Sequence, residues 1–250
     1  MQHRFAFTSA IHTRKFDKAF EKLRKSGLTW YPWVGKDYES NRLMVIGESN
    51  YVNKEIPNEP LDIALQRVGS DEYFERKVVD CLGCCGNQQN KTMNALFKML
   101  AGKGVLQKVF WRLVAMMELL QQPVIGYGWS ENKKKPSADQ FVEDAKVVMS
   151  VMKIIIPTHV LFVGKSVWLA FMKMVKCNGG NVREEYQDVV SRSKNGRKSY
   201  IDYGIIAIDD KYKFDYVALD HPGGSFGFQV AEWSKKLHKV KRGFVVRKEK

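Results

Sequence analysis

The chain has 250 residues, 44% of them hydrophobic, enough for a packed core in a single α/β domain and too many for a disordered chain. Lys and Arg number 41 against 27 Asp and Glu, a net charge of +14, which points to a polyanionic partner, with nucleic acid ahead of an anionic membrane surface. No stretch approaches the roughly 18 apolar residues of a membrane span, and the N-terminus lacks an apolar signal core, so a cytoplasmic protein that does not enter the membrane is expected.

Residues 14–25 place Phe16, Ala19, Phe20 and Leu23 on one face of an amphipathic helix with a basic opposite face. Trp30, Tyr31, Trp33 and Tyr38 then crowd around Pro32, either to stack on bases or to pack beneath the following strand. That strand is Leu43 to Ile46, ended by Gly47, after which Glu48, Ser49, Asn50 and Tyr51 follow without a break. Ile56 to Leu65 reads as a loop feeding a helix, with Pro57 and Pro60 as breakers.

Residues 71–101 are expected to be mostly helical around the cluster C-L-G-C-C, which holds Cys81, Cys84 and Cys85, with Cys177 far away. This spacing is unlike a secreted disulfide framework. Adjacent Cys84 and Cys85 suit one metal ion poorly, so reduced structural thiols are expected, with no metal or cofactor. Val105 to Leu120 fits helical and strand periods in different parts, and Glu118 is conspicuous in so apolar a run. Lys133, Lys134 and Lys135 sit in a loop that suits phosphates or plain solvent. Ser137 and Gln140 resemble a capping box that opens a helix to about Ile155.

Val160 to Gly164 is a second buried strand, followed by Lys165 and Ser166. The Gly-Lys-Ser triplet lacks the upstream glycine of a phosphate-binding loop, since His159 stands there, which excludes a nucleoside-triphosphate site of that kind. Residues 178–200, rich in Gly, Asn, Ser and charge, read as a surface excursion. Ile205 to Ile208 and Val217 to Leu219 are further strands. A last helix, about Gln229 to His238, leads into a basic tail containing Lys239, Lys241, Arg242, Arg247 and Lys248. Strands and helices alternate with no linker between them, so one domain over residues 1–250 is expected.

Three stretches together resemble the uracil-DNA glycosylase superfamily. Gly47-Glu48-Ser49-Asn50-Tyr51 is similar to the motif after that family's first strand. Val160 to Trp168 looks like its intervening strand ending in Gly, and His221-Pro222-Gly223-Gly224-Ser225 resembles its final motif. Three residues depart from the pattern: Ser49 stands for Asp, Asn50 for Pro and Gly223 for the first Ser. The resemblance implies a three-layer α/β/α fold around a mainly parallel sheet of about four strands. It also implies a monomeric, monofunctional enzyme that flips a base out of DNA and excises it.

In the roles so implied, Glu48 stabilises the sugar cation and positions water, Asn50 assists it, and His221 donates to the departing base. Tyr51, Ser49 and Glu118 contact the base. Gly223, Gly224, Ser225, Lys165, Ser166, Lys133, Lys134 and Lys135, with the basic tail, contact DNA. Glu118 falls near the position where the family carries a base-reading Asn. An acceptor-only carboxylate there suits the exocyclic amine of cytosine, and Gly223 and Gly224 leave room for a substituent. The expected substrate is therefore a modified cytosine, such as the glucosylated hydroxymethylcytosine of phage DNA, excised in antiviral defence. The alternatives are a repair glycosylase for uracil or deaminated bases, a non-catalytic DNA-binding protein of the same fold, and a hydrolase of free nucleosides.

Overall fold

The computed structural model describes residues 11–52, 59–84, 90–126, 136–192, 198–222 and 229–246. In chain order the elements are α1 (Asp17–Arg24), β1 (Trp33–Val34), β2 (Leu43–Gly47), β3 (Tyr51–Val52), α2 (Leu61–Gly69), α3 (Phe74–Val78) and α4 (Lys91–Leu100). They continue with α5 (Gln107–Leu113), β4 (Val114–Glu118), β5 (Val124–Ile125), α6 (Ala138–Ile155), β6 (His159–Val163) and α7 (Lys165–Cys177). The chain ends with β7 (Asn181–Arg192), β8 (Lys198–Ala207), β9 (Lys213–Leu219) and α8 (Val230–Val240). A π-helical stretch, Val79–Cys84, extends α3 past Cys81 to Cys84.

The main sheet has seven strands in the order β1-β4-β2-β6-β9-β8-β7. It is mixed, so the expected sheet of about four mainly parallel strands is corrected. Strands β4, β2, β6 and β9 are mutually parallel, while β1, β8 and β7 pair antiparallel at the margins. The added strands come largely from residues 178–200, expected as a surface excursion. As the outermost strand, β7 is exposed or half-buried on both faces, so it lacks the apolar alternation that marks a strand in sequence.

Each central strand feeds two cores. Met44 and Ile46 of β2, Val160 and Phe162 of β6, and Tyr216 and Ala218 of β9 pack with α1, α6 and α7. Leu43 and Val45, Leu161 and Val163, and Val217 and Leu219 pack on the other face with α4, α5 and α8. Strands covered on both faces read as continuous apolar runs, which is why these were legible. The ambiguous run from Val105 is a helix, α5, that passes into β4 at Val114 without a break. Trp30, Tyr31, Trp33 and Tyr38 are all buried. The Trp30 indole donates to the Val68 carbonyl at 2.9 Å and that of Trp33 to the Trp111 carbonyl at 2.8 Å, so they pack the core and do not stack on bases.

Helix α6 starts as a capped helix should: Ser137 Oγ accepts from the Gln140 N–H at 3.1 Å. It ends with Ile156 in the left-handed region at φ 48°, a position that favours Gly or Asn. Half of Ile156 is exposed, at 49%, so its side chain contributes little packing there. Ile156→Gly is expected to raise the unfolding free energy by roughly 1 kcal/mol in urea titration, the relieved strain outweighing the added chain entropy.

Candidate active site

The carboxyl ends of β4, β2, β6 and β9 lie along one edge of the sheet. The chain's next core strands after β2 are β4 on one side and β6 on the other, so the crevice beyond these ends is where an open α/β sheet takes its ligands. Glu48 leaves the end of β2, Glu118 is the last residue of β4, Ser166 follows β6 and His221 follows β9. The backbone beyond β2 is fixed against the segment that follows β4. Leu119 N–H bonds the Gly47 carbonyl at 2.9 Å, Leu120 the Glu48 carbonyl at 3.0 Å, and Val124 the Asn50 carbonyl at 3.0 Å. A short parallel pair, β3 with β5, continues that seam.

Glu48 is half-buried and held at both oxygens. Ser166 Oγ donates to Oε2 at 2.6 Å and the Tyr51 hydroxyl to Oε1 at 3.2 Å. Gly164, at φ 111°, turns the chain from β6 into α7 beside this carboxylate. Tyr51 is 48% exposed and stands at the rim. Ser49 and Asn50 are buried, and the Asn50 amide nitrogen has no hydrogen-bond partner, which leaves a buried donor at the cavity.

The Glu118 carboxyl lies against the end of β2. A Cβ added at Gly47 would meet the carboxyl carbon at 2.8 Å, so a larger residue there would push the Glu118 carboxyl aside. Burial first, and the neighbouring Glu48 second, push the Glu118 acid up to about 8, against which the Ser49 N–H bond works. Behind it Glu75 of α3 is 1% exposed and is raised well above the carboxylate range, chiefly by burial and then by Glu118. At neutral pH Glu118 therefore carries its proton. Its Oε2 has no partner, and the acid can donate as well as accept.

His221 is pushed below the usual imidazole range by burial, with Glu48 pulling the other way. It faces the same cavity, about 280 Å³, that Glu48, Asn50, Tyr51 and Glu118 line, with apolar walls from residues such as Phe74, Leu82, Met93 and Val163. A hydrophobic hollow with a few convergent polar groups is the usual form of a small-molecule site. No known protein-family model and no curated protein matches this chain.

The structure thus brings Glu48, Ser49, Asn50, Tyr51, Glu118 and His221 together. Two residues assigned to DNA contact other parts of the chain. Ser166 holds Glu48, while Lys165 lies over the Tyr200 ring at 5.4 Å and 3.6 Å from Asp202 of β8. Within the basic tail, Lys241 pairs with Asp215 at 2.5 Å, and Lys236 of α8 with Asp188 at 2.8 Å. Gly223, Gly224, Ser225, Lys133, Lys134, Lys135, Cys85, Arg247 and Lys248 lie outside the described residues. Among the described residues no group of three or more His, Cys, Asp or Glu is arranged to hold a metal ion, and no helix is long and apolar enough to cross a membrane. Glu75 escaped sequence reading because F-E-R-K-V looks like a solvated turn. Nothing in it signals that both Glu75 and Arg76 are buried, the latter bonding Asp17 at 2.7 Å.

The raised acid of Glu118 ties stability to pH. Its folded value, about 8, lies above the ordinary 4.5, so the native state holds the extra proton between them. Stability from this group is complete below about 4.5 and is lost as pH rises through 8. Glu118→Gln, neutral at every pH, is expected to melt close to the wild type at pH 5 and above it at pH 9. The measurement is thermal unfolding by circular dichroism across that range.

Proposed function

We propose that the protein is a DNA glycosylase of the uracil-DNA glycosylase type that excises a flipped pyrimidine, a modified cytosine in our reading, in defence against phage DNA. The observation that carries this is the convergence of Glu48, the unpartnered Asn50 amide and His221 on one apolar cavity at the carboxyl edge of parallel strands. The +14 charge supports a nucleic-acid substrate over free nucleosides.

In this reading the target nucleotide leaves the stack and its base enters the cavity. The C1′–N bond breaks and both electrons depart with the base, leaving an oxocarbenium ion at the sugar. Glu48, fixed by Ser166 and Tyr51, faces that cation and takes a proton from the water whose oxygen bonds C1′. The Asn50 amide donates to the sugar or to that water. His221, kept neutral by burial, donates its one N–H to the base carbonyl on which negative charge grows. The base anion then takes up a proton from solvent while Glu48 releases the one it gained, so the products are the free base and an abasic site.

Glu118 suits the base edge. As a neutral acid it accepts from the cytosine amine through its carbonyl and donates its O–H to the ring N3. The same acid turned over accepts from uracil N3–H and donates to O4, so Glu118 selects pyrimidines without choosing between them.

The test is single-turnover excision on duplexes containing uracil, cytosine or glucosylated hydroxymethylcytosine, read as strand breaks after hot alkali. Release of the modified cytosine is expected, and uracil release alone would move the assignment to repair. Glu48→Gln is expected to slow excision by about 10²–10⁴ and His221→Ala by about 10²–10³, with DNA affinity retained in both. The rate is expected to fall above about pH 8 as Glu118 ionises, an alkaline limb that Glu118→Gln removes. Full activity in the Glu48→Gln/His221→Ala double variant would refute the mechanism.

A further inference from the structure

Helix α4 borders a second hollow on the side turned away from the cavity. Asn90, Thr92, Met93 and Leu96 line the cavity, whereas Lys91, Asn94, Ala95 and Lys98 line a groove of about 510 Å³. At about 3.6 residues per turn these two sets fall on opposite faces, so α4 is a wall shared by both hollows. Phe97, Gln107 at the start of α5 and Val230 at the start of α8 complete the groove.

Two observations mark the groove as a place for an anion. The first is its charge. Helices α4 and α5 carry Lys91, Lys98, Lys108 and Arg112 and no acidic residue, and Glu232 is the single acid of α8. Arg112 is matched by Asp37 at 2.6 Å, but Lys91 and Lys98 are exposed and make no ion pair among the described residues. The second is a donor. The Gln107 amide nitrogen is buried with no hydrogen-bond partner, at the border of the groove. A buried donor left unsatisfied is costly, and an anionic oxygen is the acceptor that satisfies it best.

The remaining lining, Ala95, Phe97 and Val230, is apolar. Cations and an amide for phosphate oxygens, beside an apolar wall for sugar carbons, suit a phosphodiester strand. The spacing suits it too. Lys91 and Lys98 lie about 10 Å apart along the helix axis, a span that takes in about three phosphates of one duplex strand at about 3.4 Å each. Lys91 also stands between Asn90 and Thr92 of the cavity lining, so the groove starts beside the cavity.

We infer that this groove binds the phosphate backbone of the nucleic-acid strand whose nucleotide enters the cavity across α4, with Lys91, Lys98 and Gln107 as the phosphate ligands. This rests on the reading of DNA as the substrate and adds the surface that holds the flanking strand. Contacts of this kind carry no sequence information, so the groove sets affinity and register while the cavity sets the base.

The experiment is equilibrium binding, by fluorescence anisotropy, of the full chain to an unmodified duplex over a range of salt, a measurement that needs no excision. Lys91→Gln/Lys98→Gln, a change that suits a helix, is expected to lower the log–log salt slope by about 1.8, or about 0.9 per lost contact. Lys22→Gln/Lys25→Gln at the end of α1, on the other face of the sheet and with the same change in net charge, is expected to leave it unchanged. Gln107→Leu removes no charge. It is expected to keep the slope, to lower duplex affinity about tenfold and to melt no lower than the wild type, since it deletes an unpaired buried donor. An unchanged slope in the groove variant, an equal drop in the α1 variant, or wild-type affinity in Gln107→Leu would overturn the inference. A groove variant that keeps the duplex slope but loses binding to phosphatidylserine vesicles would assign the groove to a membrane surface instead. Reduced slope with no excision of any base would leave the groove standing and remove the glycosylase reading. Excision with an unchanged slope would do the reverse.

Discussion

Everything at this site depends on one acid being neutral. The Glu118 carboxyl sits against the backbone of Gly47 and Ser49, with Glu48 beside it and Glu75 behind. Three anions so placed in an apolar setting would repel one another and leave charge without solvent, a penalty far beyond what one Ser49 N–H can offset. Protonation of the two inner acids removes the conflict. It turns Glu118 from an acceptor into a group that donates too.

That arrangement follows from sheet topology. Four parallel strands deliver their carboxyl ends to one edge, so residues far apart in sequence meet as soon as the strands take their order. Gly47 is level with Glu118 in the β2–β4 ladder, which is why the acid comes so close to the glycine. The seam from Leu119 to Gly126 then holds the backbone of residues 47–52 in place. Polar groups on such rigid backbone are held in place without further ordering.

The parts of the fold legible in sequence were those where local pattern and tertiary environment agree. Leu43–Ile46, Val160–Val163 and Val217–Leu219 are covered on both faces and read as unbroken apolar runs, and Ser137 announced the start of α6 with a side-chain cap. The edge strand β7 was not legible, because a strand that faces solvent on both sides carries no period. At the site, Glu48 and His221 stood out as polar residues directly after apolar runs. Ser166 was read as a DNA contact from the family resemblance alone; the order of β2 beside β6 is what brings it to Glu48. The buried state of Glu75, and with it the proton on Glu118, arises from packing between elements that no local pattern records.

How Glu48 is held bears on what it can do. Its two hydrogen bonds come from hydroxyl groups, Ser166 and Tyr51, which orient the carboxylate without cancelling its charge. A cation stands next to Ser166 at Lys165, and an ion pair from it would occupy the Glu48 carboxyl. The fold diverts it: Asp202 and the Tyr200 ring draw the Lys165 ammonium towards β8. The nearest imidazole, His221, is kept neutral by burial against the pull of Glu48 itself. An anion steadied by neutral donors, in a hollow whose other acids are protonated, keeps its field for whatever positive charge develops in front of it.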